Sequence, residues 1–502
     1  MSVDSVHPEF EARVADWSVI SDVYRGQRAV KNAGFRYLPP TPAQVIDGVG
    51  STASIGYKSW ASMRDRAVFP EVFSETVKTL MGVMHRKHAV FELPSRLRGF
   101  LQRATPHGEG LQQLLERINE EQLLYGRCGL HIDPVDGALP NELPNVLLYS
   151  AVRIRNWDDG SIGAPDRQNL NLVVLDESEY VREAGDLDWD RKEKYRVLWL
   201  GNLEANEPAS ASPAYYVKEV PDGGDFDPSD PLEPRIAGRG PAALPFVFIN
   251  SRDVVPSVDN PPLLSVANRA LSAYRMDADF RTALFMTSQE TLVIRGEIVD
   301  DAAADTRVGA GAVIRCEVDG GASYVGVSGV GLRESRDARD SDIADAVHAG
   351  ARLIDTRGKE AESGDALRMR VSSRTASLHQ VALTGAMGLT SALRAAARWM
   401  GLSEAEVESI QVRANVDFAD ERVDGRTLVD IMEAKGRGLP WSMRSIHAYL
   451  RDHEMTGYDF DEELALIEEE DPISQATLGV PAGLPGPGGG GGGEGDGAGD
   501  GE

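Results

Sequence analysis

The sequence predicts a mixed α+β fold built from several modules, and three observations carry that prediction. Apolar residues recur at helical spacing through the first quarter of the chain. Short β-rich runs separated by turn residues follow from about Arg127 to Asn250, and beyond them two long helical stretches flank a small β-rich segment. At 502 residues the chain exceeds what one compact core usually holds, so roughly two to four modules are expected.

The first helix is predicted from Phe10, Val14, Trp17, Ile20 and Tyr24, with Pro8 in the opening turn. Val72, Phe73, Val77, Leu80, Met81 and Met84 form a second stripe. Leu111, Leu114, Leu115 and Ile118 form a third, closed by Gly126. GLHI, NVLLY, NLVVL, YRVLWL, YYVKEV and PFVFI then read as strands. The turn-rich stretch 221–241 reads as a surface loop.

A long helix is expected to start with Asn260 as N-cap and Pro261 in its first turn. Leu264, Ala267, Leu271, Tyr274 and Ala278 lie on one face, with Arg269, Arg275, Asp277, Asp279 and Arg281 on the other. TLVIRG, AVIRCEV and SYVGV are short strands after it. A second helix spans about 333–355, carrying Ile343, Ala346, Val347, Gly350 and Leu353. A polar Gly-containing segment precedes an Ala- and Leu-rich helix over 375–400 that stops at Gly401. Ile410, Val412, Ala414, Val416 and Phe418 alternate with polar residues as a strand does. Two helices are expected after it, one through Leu428, Ile431 and Met432, the other through Trp441, Ile446, Tyr449 and Leu450. The Gly-rich end, from about 481, has too little apolar surface to offset the entropy of ordering and is expected to be disordered.

The formal charge is −27, from 79 acidic against 52 basic residues, which argues against a generally phosphate-binding surface. Cys128 and Cys316 give neither a disulfide framework nor a metal-type spacing, so a reducing compartment is expected. The start lacks the pattern of a signal peptide, and no apolar run reaches about 18 residues, so a soluble, intracellular product is expected. There is no G-x-x-x-x-G-K-[ST], G-x-S-x-G or H-E-x-x-H, and no catalytic, metal or cofactor residue is nominated.

Five segments stand in order along the chain: HPEFEARVADWSVISDVYRGQRAVKNAGFRYLP; LLYGRCGLHID with VRIRNWD; LPFVFIN leading to NPPLLSVANRALSAYRMDADF; DTRGKEAESGDALRMR with the helix ending in ARWMG; and NVDF followed by GLPWSMRSIHAYL. In that order they resemble the portal (head–tail connector) proteins of tailed bacteriophages. The Gly-rich terminus and several linker lengths depart from that pattern. The resemblance implies a ring, usually of twelve subunits, around a channel for double-stranded DNA. By position it implies an α/β wing over 1–259, a first stem helix over 260–289 and a β-rich clip over 290–331. It further implies a second stem helix over 332–355, a channel loop over 356–372, a long helix and strand returning to the wing over 373–419, and a helical crown over 420–480. It implies a place at a capsid vertex of the virion, with assembly in the host cytoplasm and no membrane. The implied partners are the terminase packaging motor, capsid and scaffolding proteins, and head-completion or tail adaptor proteins.

A conduit has to pass a polyanion without gripping it, which a net-acidic subunit suits. Asp337, Asp340, Asp342 and Asp345 are the candidates for acidic rows on the stem lumen. Arg357, Lys359, Glu360, Glu362 and Arg368 are the channel-loop candidates. The plainer reading of the carboxylates is a solvated helix face, or pairs between subunits. His85 and His88 in HRKH have a spacing that would place two ligands on one helix face, though a basic patch is the simpler reading. VGAGAV fits a clip turn better than a nucleotide loop, and DEELALIEEED an exposed helix end. Other functions left open are a non-portal virion protein, a carboxylate-based hydrolase, and a DNA-binding regulator using the helices around Leu428 to Leu450.

Overall fold

The computed structural model describes residues 3–134, 142–158, 170–182, 185, 187–201, 214–221, 226–241, 243–287, 291–295, 319–325, 330–351, 364–416, 418, 425–438, 440–452 and 455–467. The fold is mixed α+β, and the chain divides into two compact units, Met1–Phe418 and Ala419–Glu502.

The first unit opens with α1 (Pro8–Tyr24), α2 (Gln27–Asn32), α3 (Pro42–Ile46), α4 (Ile55–Arg66) and α5 (Val72–Met84), then β1 (Val90–Glu92) and α6 (Leu111–Tyr125). Pro8 occupies the first turn of α1, where its missing N–H costs nothing, and His7 accepts from the Glu9 N–H. α6 ends where Gly126 adopts φ 74°, a conformation that L side chains resist. Trp17 Nε1 donates to the Tyr125 carbonyl at 3.0 Å, tying α1 to the end of α6.

Next come β2 (Arg127–Asp133), β3 (Asn145–Ser150), β4 (Ile154–Asp158), β5 (Leu172–Asp176), β6 (Glu179–Val181), β7 (Asp190–Lys192), β8 (Lys194–Leu200), β9 (Tyr215–Pro221) and β10 (Phe246–Asn250). They form antiparallel sheets in the orders β10-β2-β3 and β4-β5-β8-β9, with a β6-β7 hairpin. The described part of the expected surface loop, residues 226–241, is tied down. Phe226 is buried, Leu232 bridges Val217, and the Arg239 carbonyl accepts from Trp399 Nε1 at 2.7 Å.

α7 (Leu264–Thr287), β11 (Thr291–Arg295), β12 (Gly321–Val325), α8 (Val330–Ala351), α9 (Gly364–Trp399), α10 (Glu404–Glu408) and β13 (Gln411–Arg413) complete the unit. α11 (Gly425–Gly436) and α12 (Met443–Asp452) belong to the second. The main core of the first unit takes buried side chains from α1, α6, α7, α9, β2 and β10, and a second, smaller cluster gathers Val174, Val197, Trp199 and Val220 with Phe226. Among the described residues no helix is long and apolar enough to cross a membrane.

Three sequence expectations are corrected here. Asn260 does not cap α7, because the backbone at 259–260 lies against Gly126, and a turn through Pro261 and Leu263 delays the helix to Leu264. The helix expected from 375 begins at Gly364, so the last part of the segment 356–372 is helical. The alternating stretch 410–418 is a strand only over β13, which pairs with β1; Val416 beyond it is exposed.

Candidate functional site

The region the sequence marks for function is the helix–strand–strand–helix segment from α7 to α8. Each step forward along α7 is matched by a step back along α8: Arg269 meets Asp345 at 2.7 Å, and Asp277 meets Arg339 at 2.9 Å. The same register runs into the strands, where Thr291 lies opposite Val325 and Arg295 opposite Gly321. The described parts of the segment therefore form one antiparallel hairpin. With 24 residues at a rise of about 1.5 Å each, α7 alone is roughly 36 Å long.

Only the inner half of this hairpin is embedded. On α7 the buried positions run through Val266, Ala267, Ala270, Leu271, Ala273, Tyr274, Asp277 and Ala278 and then cease, while Leu284, Phe285 and Met286 are 45%, 46% and 70% exposed. On α8, most of residues 331–345 are exposed, and full burial appears at Ala346 and Gly350. Gly350 is where α8 touches α5, since a Cβ there would lie 2.6 Å from Thr76 Cγ2.

At the point where cover ends sits Asp277, whose carboxylate accepts the Val68 N–H at 2.7 Å, Arg281 Nε at 2.6 Å and Arg339 at 2.9 Å. Both Asp277 oxygens are thus engaged by groups from three segments, which is how a nearly inaccessible carboxylate avoids a large desolvation cost. Arg339 also binds Asp340 and lies over the Phe280 ring.

The four acidic stem candidates separate into different roles. Asp340 is held below the ordinary carboxylate range, first by its hydrogen bond to Arg339, with Arg336 adding to the effect. Asp345 pairs with Arg269 across the hairpin, and Asp337 is exposed. Asp342 is half-buried, with Oδ2 enclosed and without a hydrogen-bond partner. The carboxylate row is therefore partly consumed by ion pairs within one chain. Arg357, Lys359, Glu360 and Glu362 lie outside the described residues, as does VGAGAV; Arg368 lies within α9.

His85 and His88 follow the end of α5, so they share no helix face, and no group able to hold a metal occurs among the described residues. Burial pushes the His85 imidazole down from its ordinary value.

Sequence reasoning missed the polar joint that aims α7. Gln122 Nε2 donates to the Asn250 carbonyl at 2.6 Å and to Thr384 Oγ1 at 2.9 Å, joining α6, β10 and α9 inside the core. The Asn250 side-chain amide in turn reaches the Val255 and Ser257 carbonyls at 2.9 and 2.7 Å, shaping the loop that leads to α7. Arg127, fully buried between the Trp157 and Phe248 rings, donates to the Pro256 carbonyl at 2.7 Å; burial lowers its pKa to about 9. The only sequence signal was the presence of polar residues inside otherwise apolar runs.

A family model described as a domain of unknown function, DUF4055, matches residues 262–400, which span this hairpin and α9. No curated protein matches the chain. Solved structures with a similar chain include one from the virion of a native gene transfer agent particle, at 12% identity and TM-score 0.39, covering 81% of this chain and 98% of that one. Another comes from the neck of the native particle with C12 symmetry, at 13% identity and TM-score 0.38, covering 81% and 97%. A third comes from the neck of the empty particle with C6 symmetry, at 13% identity and TM-score 0.37, covering 82% and 98%.

Proposed function

We propose that this chain is a structural subunit of a phage-type particle, and specifically a portal protein, one of a ring of copies around a DNA channel at a capsid vertex. The observation that carries this reading is the half-embedded hairpin. A pair of helices that leaves its own core while keeping large apolar side chains such as Met286 exposed is suited to packing beside copies of itself. The ordered resemblance of five sequence segments to portal proteins supports the same reading. In it, α7 and α8 are the two stem helices, β11 and β12 belong to the clip, and the second unit is the crown. The packaging motor and the tail or head-completion proteins would dock in turn at the ring.

The chemistry is that of passage rather than turnover. A ring of subunits each carrying −27 repels the DNA backbone, and a polyanion crosses faster where it is not gripped. Electron microscopy of the purified full-length protein tests this directly. Rings with a hole wide enough for duplex DNA are the expected result, whereas a persistent monomer under assembly conditions overturns the proposal.

A further inference from the structure

We propose that the surface formed by Arg96, Arg98 and Arg103 is a contact for the phosphate backbone of duplex DNA. It rests on the portal reading for the presence of DNA, and on charge and geometry for the contact itself.

Between Lys78 and Arg103 the sequence holds six cations (Lys78, Arg86, Lys87, Arg96, Arg98, Arg103) against the single carboxylate of Glu92, in a chain whose net charge is −27. The last three cations lie on and just after the 3-10 turn Ser95–Leu101, and all three are exposed. That turn is fixed from below by Leu97 and Phe100, which are both fully buried, so its outward positions are held on a rigid base. At about 2.0 Å per residue along the turn and no more than about 3.6 Å per residue after it, the Cα atoms of the three arginines fall within roughly 17 Å of one another.

Two carboxylates near this stretch in sequence are already engaged. Glu92 pairs with Arg413 at 2.9 Å and Glu109 with Arg117 at 2.7 Å. Glu406, the carboxylate on which Arg96 acts, closes the cap of α10 through Ser403. This contrasts with the Arg–carboxylate pairs of α7 and α8, where positive charge is spent inside the chain. A polyanion approaching the molecule is repelled by most of it and meets here three exposed guanidiniums that form no salt bridge with a described residue.

Guanidinium groups suit phosphate oxygens, which they bind in a bidentate fork. The surface lacks the exposed aromatic anchor that a tight protein interface generally needs, since Phe100 points inward. It also presents no helix to enter a groove, so the contact would be to the backbone and independent of sequence.

The test is fluorescence anisotropy of a short labelled duplex with the full-length protein between about 50 and 200 mM salt. Arg96→Ala/Arg98→Ala/Arg103→Ala is compared with the wild type and with Arg437→Ala/Arg444→Ala/Arg451→Ala, which removes three exposed arginines from the second unit. The expected result is an affinity loss of at least about tenfold at low salt for the first variant, with the salt slope reduced by about two to three and the melting curve unchanged. The second variant should behave as wild type. No measurable binding by the wild type, or equal binding by both variants, overturns the proposal. A labelled polyglutamate peptide that binds more tightly than DNA and is lost in the first variant reassigns the surface to an acidic protein segment and also overturns it. Microscopy decides the ring separately: rings with unchanged DNA binding sink this contact alone, and a monomer with the expected DNA response sinks only the portal reading.

Discussion

At the scale of single residues, Asp277 shows why the acidic face of the hairpin was only half legible. Asp337, Asp340, Asp342 and Asp345 stand out in the sequence because they cluster, yet the carboxylate that organises the joint lies on the other helix and binds a backbone N–H 209 residues away. No local pattern announces such a contact. Asp277→Ala would leave the Val68 N–H unsatisfied and Arg339 with Asp340 alone, so a loss of roughly 1–3 kcal/mol in chemical denaturation is expected, with Asp277→Asn intermediate. The exposed pair Arg269–Asp345 should be worth under about 1 kcal/mol, because water screens it on both sides. A second residue test concerns Glu121 on α6, where burial pushes the carboxyl up to about 7, with Glu120 adding and Ser150, Arg117 and Arg153 opposing. The folded state holds this proton more tightly than the unfolded chain does. Its contribution is therefore complete below the unfolded value near 4.5 and is lost as pH rises through about 7. Glu121→Gln should be more stable than wild type at pH 8 by up to about 3 kcal/mol, with the difference shrinking as pH falls towards 5. A pH-independent difference in denaturation midpoints would rule out the titration.

At the scale of elements, the sequence predicted type better than extent. α1 carries its start signal in Pro8 and α6 its stop signal in Gly126, so apolar spacing and these signals together locate them. α9 is longer than the sequence suggests because Gly364, Asp365 and the charged and Ser residues that follow read as a loop, although the chain continues there as helix. β13 was overestimated for the opposite reason. Alternation from Ile410 to Phe418 is a necessary condition for a half-buried strand, but only three residues find a partner edge in β1. The crossing of α8 on α5 could not be read at all, since a glycine inside a helix usually signals weakness and here permits contact. Gly350→Ala gains helix propensity of about 1 kcal/mol but drives its new methyl into Thr76, which should leave the protein net destabilised by about 1 kcal/mol. Adding Thr76→Ala removes the obstructing atoms, and the double variant should melt above the Gly350→Ala single variant. Equal melting temperatures would mean that α5 yields freely and the crossing is not tight.

At the scale of the whole molecule, the hairpin from Leu264 to Ala351 poses an energetic problem that one chain leaves unsolved. Its inner half is built into the core of the first unit, while its described outer half rests chiefly on the opposing helix, with Arg66 of α4 over the Phe285 ring. Met286 is 70% exposed and Val347 is 47% exposed, on helices whose exposed positions also carry Arg269, Arg275 and Asp279 on α7 and Arg336, Asp337 and Asp340 on α8. Charges of both signs on a projecting helix pair favour side-by-side packing with a rotated copy, because each row meets a mixed row rather than a like one. Apolar residues set among them supply the area that association needs. Met286→Glu/Val347→Glu removes that area and places two added carboxylates on every copy. In a closed ring this repulsion recurs at each seam, so the effect on assembly multiplies with the number of subunits. In a single chain both positions are open to water, and the change in subunit stability should stay within about 0.5 kcal/mol. Sedimentation velocity should therefore show mass moving from a ring species to single subunits in the double variant, while the melting curve of the subunit stays where it was. Rings that persist unchanged would show that the hairpin faces are not the seam, and would shift the search for subunit contacts to the exposed aliphatic residues of α3 and α4, Val45, Ile46 and Ile55.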